Sequence, residues 1–276
     1  MADSPYRGMG GAPVDAGRVE AIRATLSPAA DFAEEARAAV AACIDRLRAD
    51  ARSGELTECS ALLTHLRGRL DGLDPKALVP RKGLGGLFDS HGRRLKSFRA
   101  AFSDAGRAIG DTAGELSERL AAVERKHGVL EGLLDDSRKA VAELSAHVAA
   151  ARQWLAEQPA PADDEPDPTA DFRARIDQLS ATLATAVRQM PLVRALQNSE
   201  GRTVDRLRHA IDGLGDWRAG WVSGLGLEGR KPRRIRPDAV ALWRDRETAA
   251  GRLSLADAEV AESRARRSDV ERRMGV

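Results

Sequence analysis

Aromatic side chains are scarce in this chain, with five Phe, four Trp and one Tyr making up 4% of its 276 residues. A single thick globular core would hold more of them, so thin cores between paired or tripled helices are expected instead. Cysteine is scarcer still. Cys43 and Cys59 stand alone, with no CxxC and no metal-ligand spacing, which excludes a disulfide framework and points to a reducing compartment. No window approaches the roughly eighteen uninterrupted apolar residues of a membrane span. The opening MADSPYRGMGGAPVDA lacks an apolar core, so residues 1–17 read as a disordered tail and not a signal peptide, and a cytoplasmic location is expected. The net charge is only +2, too small for a whole-molecule field to draw nucleic acid.

What the chain does have is Ala, Leu, Arg and Glu in abundance and few β-branched residues, a mixture that favours helix over strand in almost every window. Ser27–Pro28 reads as a helix start, since Ser caps and Pro suits the first turn, with Phe32, Ala36, Val40, Cys43 and Leu47 on one face. A short helix around Val19, Ile22 and Leu26 would precede it. Leu56, Cys59, Leu63, Leu66, Leu70 and Leu73 alternate three and four apart, a heptad seam that Asp74–Pro75 ends. A very long pattern follows from a cap at Asp89 or Ser90. Its seam runs from Leu95, Phe98 and Phe102 to Leu116, takes one four-residue stutter to Leu120, and resumes through Leu130, Leu134, Ser137, Val141 and Leu144 to Leu155. A continuous helix here would be about 100 Å long at roughly 1.5 Å per residue. The acidic, proline-rich linker 158–170 excludes helix and lets the next one turn back. That helix spans 171–226, with Pro191 expected to kink it and with Gln197 and Glu200 making its stripe polar. The basic loop GRKPRRIRP, 229–237, leads into a charge-laced last helix.

Several features invite a functional reading beside a structural one. Gly106, Gly110 and Gly114 recur every fourth residue inside the long helix, which reads first as tight helix packing and second as a hinge. The stretch 81–96 collects Arg81, Lys82, Arg93, Arg94 and Lys96 around an apolar Leu87–Phe88 pair. It is no phosphate-binding P-loop, because no Gly-Lys-Ser/Thr follows. It is either a capped loop docked on the bundle, an oxyanion site at a helix start, or a basic and apolar surface for acidic lipid. Arg194, Gln197 and Asn198 lie mid-helix, where polar seam residues fix register or contact a ligand. The five histidines form no ligand pattern, no nucleophile elbow occurs, and Cys43 and Cys59 both fall on apolar stripes. Trp217, Trp221 and Trp243 flank the basic loop, where they read as gap-fillers at helix ends before they read as base-stacking platforms. No acid, base, nucleophile or metal cluster emerges, so no enzyme and no cofactor is expected.

The order of three parts carries a family resemblance. LTHLRGRLDGLDPKALVPRKGLGGLFDSHGRRLKSF (63–98) runs a Leu-rich heptad into Leu-Asp-Pro, a Gly-Leu-Phe segment and a basic helix start. PLVRALQNSEGRTVDRLRHAIDGLGDW (191–217) holds an Arg-x-x-Gln-Asn run, Arg194, Gln197 and Asn198, that leads to Trp217. AEVAESRARRSDVERRM (258–274) is a charge-laced terminal helix. Over roughly residues 55–274 the chain resembles the TelA (KlaA-type) toxic anion resistance family, bacterial helical proteins associated with tellurite resistance. Two departures stand out: the Asn-rich run is reduced to Asn198, and glycines sit inside the long helix. The resemblance implies no catalytic residue.

The expected architecture is therefore all-α, an elongated helical bundle of long antiparallel coiled-coil-like helices. A bundle body at 18–228 would be followed by a basic loop and charged helix at 229–276. Two antiparallel helices alone bury little, so a third helix or self-association should complete the seam. The expected function is non-catalytic binding in anion (tellurite) resistance, with a scaffold or adaptor as the alternative. The expected partner is a protein or a second copy, with an acidic membrane surface as a further candidate and nucleic acid disfavoured. The residues singled out for anion or partner contact are Arg81, Lys82, Arg93, Arg94, Arg194, Gln197 and Asn198.

Overall fold

Long runs of good helix formers with apolar residues three and four apart fold as the periodicity dictates. The computed structural model describes residues 14–52, 56–80, 90–159, 167–229 and 231–275. It contains α1 (Ala16–Ala24), α2 (Glu34–Arg52), α3 (Thr57–Asp71), a short 3-10 turn at Pro75–Leu78, α4 (His91–Ala156), α5 (Ala170–Gly224) and α6 (Ala239–Met274). No strand occurs among the described residues. Arg81, Lys82, Leu87, Phe88 and Asp89, residues 1–13 of the tail and most of the proline-rich linker lie outside them. α5 continues through Pro191, which is exposed and withholds one backbone donor.

The glycine series of α4 does not mark a close helix crossing. A Cβ at Gly106 or Gly114 would meet nothing within 4 Å, and one at Gly110 only the Arg218 guanidinium at 3.6 Å. At these positions glycine merely raises the entropy of the unfolded chain. Gly114→Ala is accordingly expected to stabilise the protein by about 0.4–1 kcal/mol in urea denaturation. A loss of stability instead would mean that α4 bends at this turn.

The chain divides into two compact units, neither of them a single stretch of sequence. The first takes residues up to 53, 127–197 and 269–276. In its core, α2 supplies Val40 and Ile44, α4 supplies Val141, Leu144 and Val148, and α5 supplies Phe172, Ile176, Leu179 and Leu183. Contacts of Glu131 with Arg194 and of Arg152 with Ser180 pair rising numbers on α4 with falling numbers on α5, so the two run antiparallel. α2 is thus the third helix that the seam needs. α1 lays Val19 and Ile22 across Ala146, Ala149 and Ala150 of α4, whose small side chains admit it closely.

The expected helix start at Ser27–Pro28 is wrong. α1 ends at Ala24, residues 25–33 turn, and α2 begins only at Glu34, after Ala33 at φ 56°. Tertiary packing overrides the local cap. The Phe32 ring sits edge-on to Phe172 at 5.3 Å and to His147 at 5.7 Å, and its carbonyl accepts from Arg175 at 3.2 Å. Glu34 follows, accepting from Arg37 at 2.8 Å and from Arg175 at 2.6 Å. Hydrogen bonds from Arg37 first and Arg175 second hold its carboxyl at about 2, against an ordinary 4.5. A carboxyl depressed by folding contributes stability above pH 4.5 and loses it as pH falls toward 2. Glu34→Gln should therefore be less stable than the parent at pH 7, with the difference closing across that window. A difference independent of pH would remove the assignment.

The second unit takes residues 54–126 and 198–268. Every member of the Leu56–Leu73 heptad seam is buried in its core, with Leu95, Phe98, Ile109 and Leu116 of α4, Leu207 and Trp221 of α5, and Leu253 and Val260 of α6. Ring contacts of Phe98 with Trp221 and of Phe102 with Trp217, each at 5.6 Å, set α4 and α5 antiparallel here as well. The polar seam positions are satisfied locally or in pairs. Thr112 donates to the Ala108 carbonyl at 2.9 Å and lies 3.1 Å from the His65 ring. Glu200 accepts from Arg267 in a buried ion pair between α5 and α6. Cys59 is fully buried in this core, whereas Cys43 in the first unit is half-buried.

Candidate functional site: a basic cavity at the start of α4

α5 ends in a Schellman motif. Leu227 N–H donates to the Val222 carbonyl and Gly226 N–H to the Ser223 carbonyl, both at 2.9 Å, and Gly226 takes φ 65°. A Cβ at Gly226 would come within 3.0 Å of Ile235 and 3.2 Å of Arg99, so both conformation and space require glycine there. The chain then doubles back, with Arg233 N–H donating to the Gly226 carbonyl at 2.9 Å. Arg99 of α4 ties the turn down, donating to the Leu225 carbonyl at 2.8 Å and to the Arg233 carbonyl at 2.7 Å. A cation at the carbonyl end of α5 is also well placed against the helix dipole. His91 Nε2, 3.1 Å from the Ile235 carbonyl, pins the far end of the loop to the first turn of α4.

These ties frame an open-mouthed cavity of about 590 Å³ between the first three turns of α4 and residues 227–235. Leu95, Ala100, Leu227, Pro232 and Ile235 make its apolar wall. Lys96, Arg99, Arg233 and Arg234 bring four positive charges, and no carboxylate lines it among the described residues. Lys96 and Arg234 are exposed and make no hydrogen bond or ion pair with the described residues. The first turn of α4 holds no acidic residue, and Arg93 and Arg94 add cations at the end where the helix dipole is positive. That arrangement is unfavourable for the empty helix and favourable for a bound anion. The amide of Arg93 is met by the Ser90 side chain at 3.3 Å.

The residues singled out from sequence separate into groups. Arg81 and Lys82 lie outside the described residues. Arg93 is exposed and Arg94 half-buried on the first turn of α4, beside the cavity but not in its wall. Arg194 and Gln197 come together in the first unit on Glu131 of α4. Arg194 donates to Glu131 and to Gln197 Oε1, the latter at 2.7 Å, and Gln197 Nε2 donates to Glu131 at 3.1 Å. Hydrogen bonds from Arg194 first and Gln197 second push the Glu131 carboxyl below its usual range. The carboxylate of this chain thus stands where an anion would have to sit. Asn198 does not join them and is exposed. Sequence reasoning named the basic helix start and the basic loop separately and missed their meeting. The available signal was the run Arg93, Arg94 and Lys96 at a helix start whose first turn holds no acid.

The site is a cationic cavity in an all-α protein, and no cluster of metal-ligating side chains occurs among the described residues. The sequence matches the toxic anion resistance protein (TelA) family over residues 25–212, more than half of the chain, and the chain belongs to that family. No curated protein matches it, and no solved structure does. The match includes the α4 wall of the cavity, Glu131, Arg194 and Gln197, and stops before the 227–235 loop.

Proposed function

We propose that the chain acts in toxic anion resistance by binding an anion without catalysis, and that the cavity at the start of α4 is where it binds. The observation that carries this reading is the set of four cations with no balancing carboxylate among the described residues, three of them, Lys96, Arg233 and Arg234, exposed and with no side-chain partner there. Guanidinium forks and an ammonium group at a partly desolvated wall suit an oxyanion. A second reading, a scaffold that docks on a protein or an acidic membrane surface, draws on the first turn of α6. There Val240 is 65% and Trp243 44% exposed, beside the exposed Arg234 and Arg236 of the loop.

Growth on graded tellurite tests the first reading. Deleting the gene should sensitise the source strain, the intact gene should restore growth, and Lys96→Glu with Arg234→Glu should fail to restore it at equal protein level. Full restoration by the reversed pair would remove the cavity from the mechanism. Unchanged growth on deletion would remove tellurite resistance. Crosslinking that is lost on Trp243→Ser but kept in the reversed pair would favour the scaffold.

A further inference from the structure

The cavity is too large and too greasy for a bare oxyanion. Its 590 Å³ falls in the range of roughly 300–1,000 Å³ that small organic ligands fill, some twenty times the ~30 Å³ of a water molecule in the liquid. An oxyanion held between Lys96 and Arg234 would leave most of that space, and the whole wall of Leu95, Leu227, Pro232 and Ile235, unoccupied. The apolar wall is also fixed in place. Ile235 packs against Gly226, and the loop that carries it is held by Arg99 and His91. Nothing in an anion-only function calls for a preformed apolar surface next to the cations.

We infer that the cavity binds a phosphate monoester that carries an apolar group, its phosphate between Lys96, Arg233 and Arg234 and its apolar part against Leu95, Leu227 and Ile235. A dianionic phosphate matches the excess of cations, and arginine forks grip it through two oxygens at once. Positive charge at the start of α4 adds to the attraction. The inference rests on the assignment of this cavity as the anion site and narrows it to a ligand class. Resistance would then follow from retention of such an ester and not from capture of the toxic oxyanion itself.

Titration calorimetry on the full chain, with inorganic phosphate, tellurite, hexyl phosphate and hexanol as probes, tests it. Hexyl phosphate should bind at least tenfold more tightly than inorganic phosphate or tellurite, and hexanol should not bind measurably. Lys96→Glu with Arg234→Glu should abolish hexyl phosphate binding while leaving the circular dichroism spectrum unchanged. Ala100→Gln, a helix-compatible change on an exposed position of the cavity wall, should erase the preference for the hexyl chain and keep phosphate binding. Equal binding of phosphate and hexyl phosphate, both lost on charge reversal, would overturn the ester while the anion site stands. Binding of none of the four would overturn both. Vesicles containing phosphatidic acid distinguish the sources of the ester: displacement of hexyl phosphate assigns a membrane lipid, and retention assigns a soluble metabolite.

Discussion

Trp221→Ala is expected to lower the stability of the protein by about 3–5 kcal/mol, the range for deleting a fully buried tryptophan. Trp221 has no exposed surface, stands 5.6 Å from both Phe98 and Phe102 and 5.2 Å from Trp217, and donates to the Leu242 carbonyl at 3.2 Å. It joins α4, α5 and α6, so the vacated volume has rigid walls on three sides and cannot collapse. Its neighbour supplies the control. The Trp217 indole N–H is buried with no acceptor, and Trp217→Phe removes that donor while keeping a ring beside Phe102. The second change should cost well under half of the first. Urea denaturation followed by far-ultraviolet circular dichroism compares them, and equal losses would show that the ring volume removed does not set the stability here.

Breaking the Glu200–Arg267 pair should cost about 3–5 kcal/mol, because either partner left alone is a charge stranded in the core. Side-chain exposure is 5% for Glu200 and 11% for Arg267, so water cannot take over the lost contact. Around the pair, Arg266 donates to Ser199 at 2.8 Å and approaches Glu259 at 3.6 Å, which adds a polar layer between α5 and α6. Glu200→Leu combined with Arg267→Met should recover most of the loss, since an apolar pair of similar volume carries no desolvation cost. A double variant as unstable as the single ones would mean that the neighbouring polar groups, and not the charge left alone, account for the effect. If the recovered variant keeps its stability but loses a single sharp transition, the pair serves to fix the register of α6 on α5.

Helix content was legible because it follows from local rules. The three-four alternation from Leu56 to Leu73 and from Leu95 to Leu155 does not depend on what it packs against, and the structure buries nearly all of it. The Ser90 cap held for the same reason. Where a local rule met a tertiary contact, the contact prevailed. Ser27–Pro28 has the chemistry of a helix start, yet Phe32 gains more from Phe172 and His147 than the cap could return. The glycines of α4 looked like a packing ridge because spacing alone cannot show whether a neighbouring backbone is there.

By itself the sequence determined the class of fold, the extent of the long helices and the burial of Gln197 and Glu200 at seam positions, since periodicity sets which face of a helix leaves water. It also held the family in its order of parts. Only the tertiary structure decided that Arg194 and Gln197 spend their hydrogen bonds on Glu131 and that the cations left over at the cavity are Lys96, Arg233 and Arg234. More than a hundred residues of chain separate the two walls of the cavity. Their meeting depends on the antiparallel course of α4 and α5 and on the glycine that turns the chain at 226, and neither is a property of any local window.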